Sequence, residues 1–237
     1  IEIDRVAAGG DMRLIYDRPL FGHENNLVFG YNIQYQTTDT QRYVNVGGNR
    51  GALTVDNDTV IDNNGVYMQD QFSILPNVKF TGGVRWSRVE FDLSDDFLSN
   101  GDQSGARNVE EVTYHVGLNY QPTDDVTLFA NHSTAFETPT SSEFTSSADG
   151  RFLNLMPMLV DSYEVGTRSN FELFGMPGQA EVSYFYMDFD DFLLPRTIGF
   201  RTTTSNSGQA RNQGVEVGFG IDPIENLHFQ TTYTYND

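Results

Sequence analysis

The residues of this chain that could do chemistry are a histidine beside a serine, a run of aspartates, and a scatter of single arginines and glutamates. His132-Ser133 pairs a base with a nucleophile, the combination that acyl hydrolysis requires. Neighbouring residues of a strand point to opposite faces, so in an extended chain the two cannot meet. Asp56, Asp58 and Asp62, with Asn57, Asn63 and Asn64, carry the oxygen ligands that calcium prefers. A calcium loop counted from Asp56 needs an oxygen ligand at its fifth position and glycine at its sixth, and Val60 and Ile61 stand there. The stretch therefore reads as a solvated acidic segment, and no metal site is expected. His23, His115, His132 and His228 are spread along the chain and read as structural residues of turns or of a polar interior. The absence of cysteine removes thiolate metal sites and cysteine nucleophiles. No nucleotide-binding loop, zinc-protease motif or paired-carboxylate constellation stands out, so neither an enzyme nor a cofactor is expected.

The balance of 14 Lys and Arg against 33 Asp and Glu gives a formal charge of −19. A surface this acidic repels phosphate and disfavours nucleic acid as a partner. No run of about 18 apolar residues marks a membrane helix. The opening Ile1-Glu2-Ile3-Asp4 is not a secretion signal.

What must position the charged residues is a series of alternating segments. Val112, Tyr114, Val116, Leu118 and Tyr120 interleave with Thr113, His115, Gly117 and Asn119. The same period of two recurs at Leu27–Tyr35, Phe80–Trp86, Val215–Ile221 and Leu227–Asn236. This is the mark of strands with one apolar and one polar face. Ten strands are expected, roughly at 10–18, 26–43, 60–74, 79–93, 109–121, 126–136, 159–172, 179–192, 208–222 and 227–237. Three short turns are led by Pro76, Pro122 and Pro223, and two more fall at Phe21–Asn26 and Phe174–Gly178. Between them lie long polar stretches, expected as loops, at Val44–Thr59, Ser94–Asn108, Glu137–Met158 and Pro195–Ser207. Short turn, strand, long loop, strand is the rhythm of outer-membrane barrels, whose apolar face meets lipid and whose polar face meets the lumen. Phe80, Tyr120 and Phe229 fall near the short turns on the apolar face, where aromatic rings favour the membrane interface. A soluble sandwich fits less well, because the strands reach the length of about ten residues that a tilted membrane strand needs. The fold class expected is all-β, an antiparallel transmembrane β-barrel, with 1–237 forming one partial barrel domain. Parity places Arg85, Glu164, Arg168 and Glu216 on polar faces, either as a lumenal charge network or as contacts to a plug. Such charges are mostly paired, which favours the network.

At this point ordered motifs resemble a known family. Tyr67-Met68-Gln69-Asp70-Gln71 followed by Gly82-Gly83-Val84-Arg85 resembles a hairpin of the TonB-dependent receptors. Gly117–Pro122 with Leu128–Thr140 resembles that family's G-L-x-Y-x-P … L-F-A-N-x-S-x-x-F-E-x-P-T run. Ser162-Tyr163-Glu164-Val165-Gly166 with Arg168, then Asn206–Glu216, then Tyr233-Thr234-Tyr235 resemble further segments in the family's order. Met158 stands where the family usually has Glu, and residues 1–59 carry no such motif. The resemblance implies a siderophore-receptor-like barrel of about 22 strands, of which about ten are here, with a plug domain lying outside this chain. It implies location in the bacterial outer membrane, contact with outer-membrane lipid and lipopolysaccharide, and coupling through the plug to the TonB–ExbB–ExbD complex. The cargo it implies is a scarce nutrient, foremost a ferric siderophore. A passive porin and a structural or adhesive surface barrel are the alternatives. Loop position and aromatic or basic character make Tyr43, Phe136, Arg151, Phe152 and Arg201 the candidate ligand contacts. Haem-uptake members carry an F-R-A-P box near a ligating histidine. Here Glu137 replaces the arginine and Glu137–Met158 holds no histidine, so haem is not expected.

Overall fold

A computed structural model describes residues 1–146, 150–198, 201–206 and 208–237, without the side chains at 146, 198, 201 and 202. In chain order its elements are β1 (Glu2–Asp17), β2 (Asn25–Val46), β3 (Asn49–Leu75), β4 (Val78–Asp95), β5 (Gly105–Thr123), β6 (Val126–Glu137), the single helical turn α1 (Ser141–Phe144), β7 (Thr145–Ser146), β8 (Arg151–Phe152), β9 (Met158–Leu173), β10 (Met176–Asp190), β11 (Leu193–Ile198), β12 (Arg201–Asn206), β13 (Ala210–Ile224) and β14 (Leu227–Asn236). Ten of these strands form one sheet in the order β1-β2-β3-β4-β5-β6-β9-β10-β13-β14, and every neighbouring pair is antiparallel. The all-β meander anticipated from the alternation is thus the fold.

The two faces are inverted relative to a soluble sheet. On β5 the apolar series Val112, Tyr114, Val116, Leu118 and Tyr120 is exposed, between 42% and 58%. The interleaved Thr113, His115 and Asn119 are half-buried and Gly117 is buried. A water-soluble sheet buries its apolar face; one that turns it outward needs an apolar solvent there. The sheet also curls. One cavity is lined both by Thr40 of β2 and by Thr204 of β12, elements that a flat meander would keep apart. It curls around its polar face, which is therefore the lumenal one.

The short turns are built as their residues dictate. Phe21-Gly22 and Phe174-Gly175 have positive φ at both positions, as in the tight turns that match strand twist. Register shifts at Ser73/Leu75, Tyr120/Thr123 and Ile221/Ile224 bracket or adjoin Pro76, Pro122 and Pro223. A bulge is where a sheet tolerates a residue without an N–H.

Four expected boundaries are corrected. Val44–Thr59 is not a loop: β2 and β3 run on through it and join at Gly47-Gly48, where φ is +59° and +89°. At 22 and 27 residues these strands exceed the roughly ten a tilted strand needs to cross a bilayer, so the hairpin stands beyond the apolar band. Ser94–Asn108 shrinks to the connection between Asp95 and Gly105. Pro195–Ser207 is occupied by the paired strands β11 and β12, with residues 199, 200 and 207 outside the described residues. The first strand extends from Glu2 to Asp17, past the 10–18 anticipated.

Candidate functional site

Register settles the facing of the four charged residues. Arg85 lies opposite Tyr67 and Thr113, Glu164 opposite Asn131 and Phe185, Arg168 opposite Thr127 and Glu181, and Glu216 opposite Ser183 and Thr234. All four stand on the polar face, in two separate groups. In the first, Arg85 Nη2 donates to Asn32 Oδ1 at 2.7 Å and Nε to Ser87 Oγ at 2.8 Å, with its guanidinium 5.8 Å from the Tyr67 ring centre. The guanidinium occupies the space that a side chain at residue 65 would take: a Cβ on Gly65 would lie 2.2 Å from Arg85 Nη2. In the second group Arg168 grips Glu181 with two bonds of 2.9 and 3.0 Å. Asn131 Nδ2 donates to Glu164 at 3.3 Å, and Glu216 lines the same hollow as Arg168 and Glu181. The side chains of that ion pair are 59% and 38% exposed, so its stabilisation is about 0–1 kcal/mol. Its value lies in holding charge at a fixed place on the wall.

Above this wall the segment after β6 folds inward. Phe144 of α1 and Phe152 of β8 stack at 5.0 Å and 7°, and Phe144 meets Phe91 of β4 at 4.8 Å. Leu93, Leu153 and Leu155 complete a buried cluster, with Ile61, Phe152 and Leu193 packed against it. Phe152 rests where a Cβ on Gly105 would lie, 2.3 Å from its ring. Thr140 and Glu143 form a reciprocal capping box that starts the helical turn. Leu153 N donates to Phe144 O at 2.6 Å. Asn206 of β12 joins the segment through Met156, donating to its carbonyl at 2.9 Å and accepting from its N–H at 2.8 Å.

The five expected ligand contacts do not converge. Tyr43 lies within β2, its hydroxyl donating to Gln41 at 2.5 Å and its ring beneath Arg50 at 3.6 Å. Phe136 is inside β6, opposite Leu159, on the apolar face with Leu128 and Ala130. Phe152 is held in the buried cluster, and Arg151 beside it is exposed. Arg201 opens β12, and its side chain lies outside the described residues.

A different set of residues surrounds a cavity of about 250 Å3 beneath the infolded segment. Arg42, Asn57, Thr59, Asp95, Gln103 and Thr204 are among those lining it. Asp95 is buried and already engaged, accepting from the N–H groups of Phe97 and Gln103 at 3.0 Å each. In the same connection Asp102 accepts from Ser104 N–H at 2.9 Å. That bond, with a second from the Ser104 hydroxyl, holds the Asp102 carboxyl below its ordinary range. Of these only Asn57 stood out in the sequence, as part of the acidic stretch; Arg42 did not, although it is one step from Tyr43 and therefore on the opposite face.

On the apolar face, His132 stacks on Tyr163 at 4.3 Å, meets Tyr114 edge-on at 5.3 Å, and approaches Asp161 at 3.1 Å. It pairs with Val116 and Tyr163 in register. This corrects the expectation that every histidine belongs to a turn or the lumen: His132 is outward, while His115, opposite Gly83 and Ser133, faces inward.

Residues 4–237 match the family described as TonB dependent receptor-like, beta-barrel. The metal-pseudopaline receptor CntO of Pseudomonas aeruginosa (strain UCBPP-PA14) is 29% identical over 188 residues, 75% of this chain and 24% of that protein. The probable TonB-dependent siderophore receptor PiuA of Acinetobacter baumannii is 22% identical over 202 residues, 77% of this chain and 24% of that one. Among solved structures, the ferric citrate transporter FecA superposes with a TM-score of 0.78 at 18% identity, over 99% of this chain and 35% of that chain. At that identity the likeness establishes the fold alone. The chain spans about a quarter of the length of the curated relatives named.

Proposed function

This chain belongs to the TonB-dependent receptors, as a stretch of their outer-membrane β-barrel, and from that premise we propose that it serves the energised uptake of a scarce metal complex, foremost a ferric siderophore. The relatives named are described as a metal-pseudopaline receptor and a probable TonB-dependent siderophore receptor. The observation that carries the reading is the wall itself: an apolar face turned outward, and a polar face on which Arg85, Arg168 and Glu181 are held by defined partners. Fixed, hydrogen-bonded charges let a hydrophilic body sit inside the lumen without the wall rearranging, which suits a plug that must be moved by TonB–ExbB–ExbD. The infolded segment around Phe144 covers part of the polar face, which suits a gated receptor better than a passive, permanently open porin.

The test is genetic. Deleting the gene that carries this chain should abolish growth on one or more ferric complexes as sole iron source, and deleting tonB should reproduce that loss. Growth and radio-iron uptake unchanged on every complex tried, or uptake that survives loss of TonB, would defeat the proposal.

A further inference from the structure

The cavity under the infolded segment has an unusual lining. Thr59, Gln103 and Thr204 are each more than nine-tenths buried, at 7%, 8% and 8% exposure. None of their polar atoms is sealed off without a partner; they keep open surface towards the space they border. No side-chain hydrogen bond joins any of these three to another described residue, although all three border the same space. Arg42 borders it as well, and no carboxylate of the described residues lies within ion-pair distance of its guanidinium. The one acid there, Asp95, has its oxygens taken up by the Phe97 and Gln103 N–H groups. No aromatic ring lines the cavity, although stacked rings lie next to it at Phe144 and Phe152.

We propose that this cavity is a subsite for a carboxylate- or hydroxyl-bearing arm of the metal complex, with Arg42 binding the anionic end and Thr59, Gln103 and Thr204 binding its hydroxyl and carboxyl oxygens. This deepens the uptake reading above and rests on it. Guanidinium and carboxylate match as a two-toothed, charge-assisted pair. Hydroxyls and an amide satisfy oxygens that have no π-face to stack, so the site selects a hydroxycarboxylate chelate over an aromatic catecholate. At about 250 Å3 the cavity falls below the roughly 300–1,000 Å3 of pockets that swallow a whole drug-sized ligand. It therefore takes one arm of the complex, while the rest stays in the mouth. The three neutral donors sit on β3, on the connection between β4 and β5, and on β12. Binding thus ties the paired strands β11 and β12 to the wall opposite them.

The test uses the full-length receptor in detergent, with ferric citrate and a synthetic ferric tris-catecholate as probes and titration calorimetry as readout. Wild-type protein should bind ferric citrate. Arg42→Gln should weaken it about ten- to a hundred-fold, the usual worth of a charge-assisted hydrogen bond. Gln103→Leu and Thr204→Val should each weaken it several-fold, and Arg42→Lys should recover part of the loss. The catecholate titration should not respond to any of these changes. Heat-modifiable gel mobility confirms that each variant is folded. A receptor that binds ferric citrate equally well in wild-type, Arg42→Gln and Gln103→Leu forms overturns the subsite. So does one that binds and takes up the catecholate alone, and in both cases the uptake reading stands. Failure to bind or import any ferric complex overturns both.

Discussion

Replacing Phe144 with alanine should open the mouth of the barrel and leave its wall intact. Phe144 is 1% exposed and packs on Phe91 and Phe152. Truncating such a ring costs about 3–5 kcal/mol, from lost transfer energy and the cavity left behind. Among the described residues, the infolded segment is also held by Leu153 and Leu155 in the same cluster, the pair of Asn206–Met156 bonds, and Arg107 donating to Asn154 at 2.6 Å. Each such hydrogen bond contributes about 1 kcal/mol net. Losing 3 kcal/mol multiplies the open population by about two orders of magnitude, since each 1.36 kcal/mol is tenfold. Phe91 and Leu93 reach the cluster from β4, but the ladder bonds of β4 to β3 and β5 are made by backbone groups and do not involve the Phe144 ring, so the sheet should keep its protection. Hydrogen exchange with mass spectrometry reads both: amides of 144 and 153–156 should exchange about a hundred times faster, and those of β5 and β9 at the original rate. Unchanged exchange at Leu153, whose N–H is bonded to Phe144 O, would refute the claim that the cluster holds the segment. Equal loss of protection in β5 would refute its independence from the wall.

Further consequences follow from the wall. Gly65→Val would drive a Cβ to within 2.2 Å of Arg85 Nη2 and 2.7 Å of Asn32 Oδ1; it should destabilise the barrel by about 1–3 kcal/mol, seen as a lower midpoint of heat-modifiable mobility. Val116→Arg, on the outward face, should cost up to about 2–4 kcal/mol in urea-titrated folding into vesicles, whereas Asn119→Lys on the inward face of the same strand should cost little. Asp102 is held below its usual range chiefly by the Ser104 N–H, then by the Ser104 hydroxyl. The carboxylate therefore supports this connection above the ordinary carboxylate range, and the support is lost as pH falls through the lowered value. Exchange at the Ser104 amide should rise over that acid interval, and Asp102→Asn should abolish the dependence.

How much of this was legible in the sequence follows the solvent on each face. Where lipid bathes one side and the lumen the other, apolar and polar residues must alternate, and Val112–Tyr120 shows both strand and facing plainly. Once β2 and β3 pass the apolar band, both faces are polar, as in Asp39 opposite Asp58 and Gln41 opposite Asp56. Alternation then vanishes although the ladder continues, and the stretch reads as a loop. Facing by parity placed Arg85, Glu164, Arg168 and Glu216 correctly because each follows an unbroken strand. It misled at His132, a polar ring whose flat face stacks on Tyr163 and whose Nε2 meets Asp161. The infolded cluster and the cavity were invisible, because Phe144, Leu153 and Thr204 come from segments with no period of their own. Only the tertiary curl of the sheet brings them to β4.

The central claim is that this chain is a membrane wall with lipid on one face and the lumen on the other. Because it contains no cysteine, single cysteines can be introduced and spin-labelled one at a time along β5, from residue 112 to residue 120, in the full receptor reconstituted into bilayers. Collision with oxygen, which concentrates in lipid, should peak at 112, 114, 116, 118 and 120. Collision with a water-soluble nickel chelate should peak, if anywhere, at 113, 115, 117 and 119. The opposite phase, or profiles with no period of two, would contradict the account.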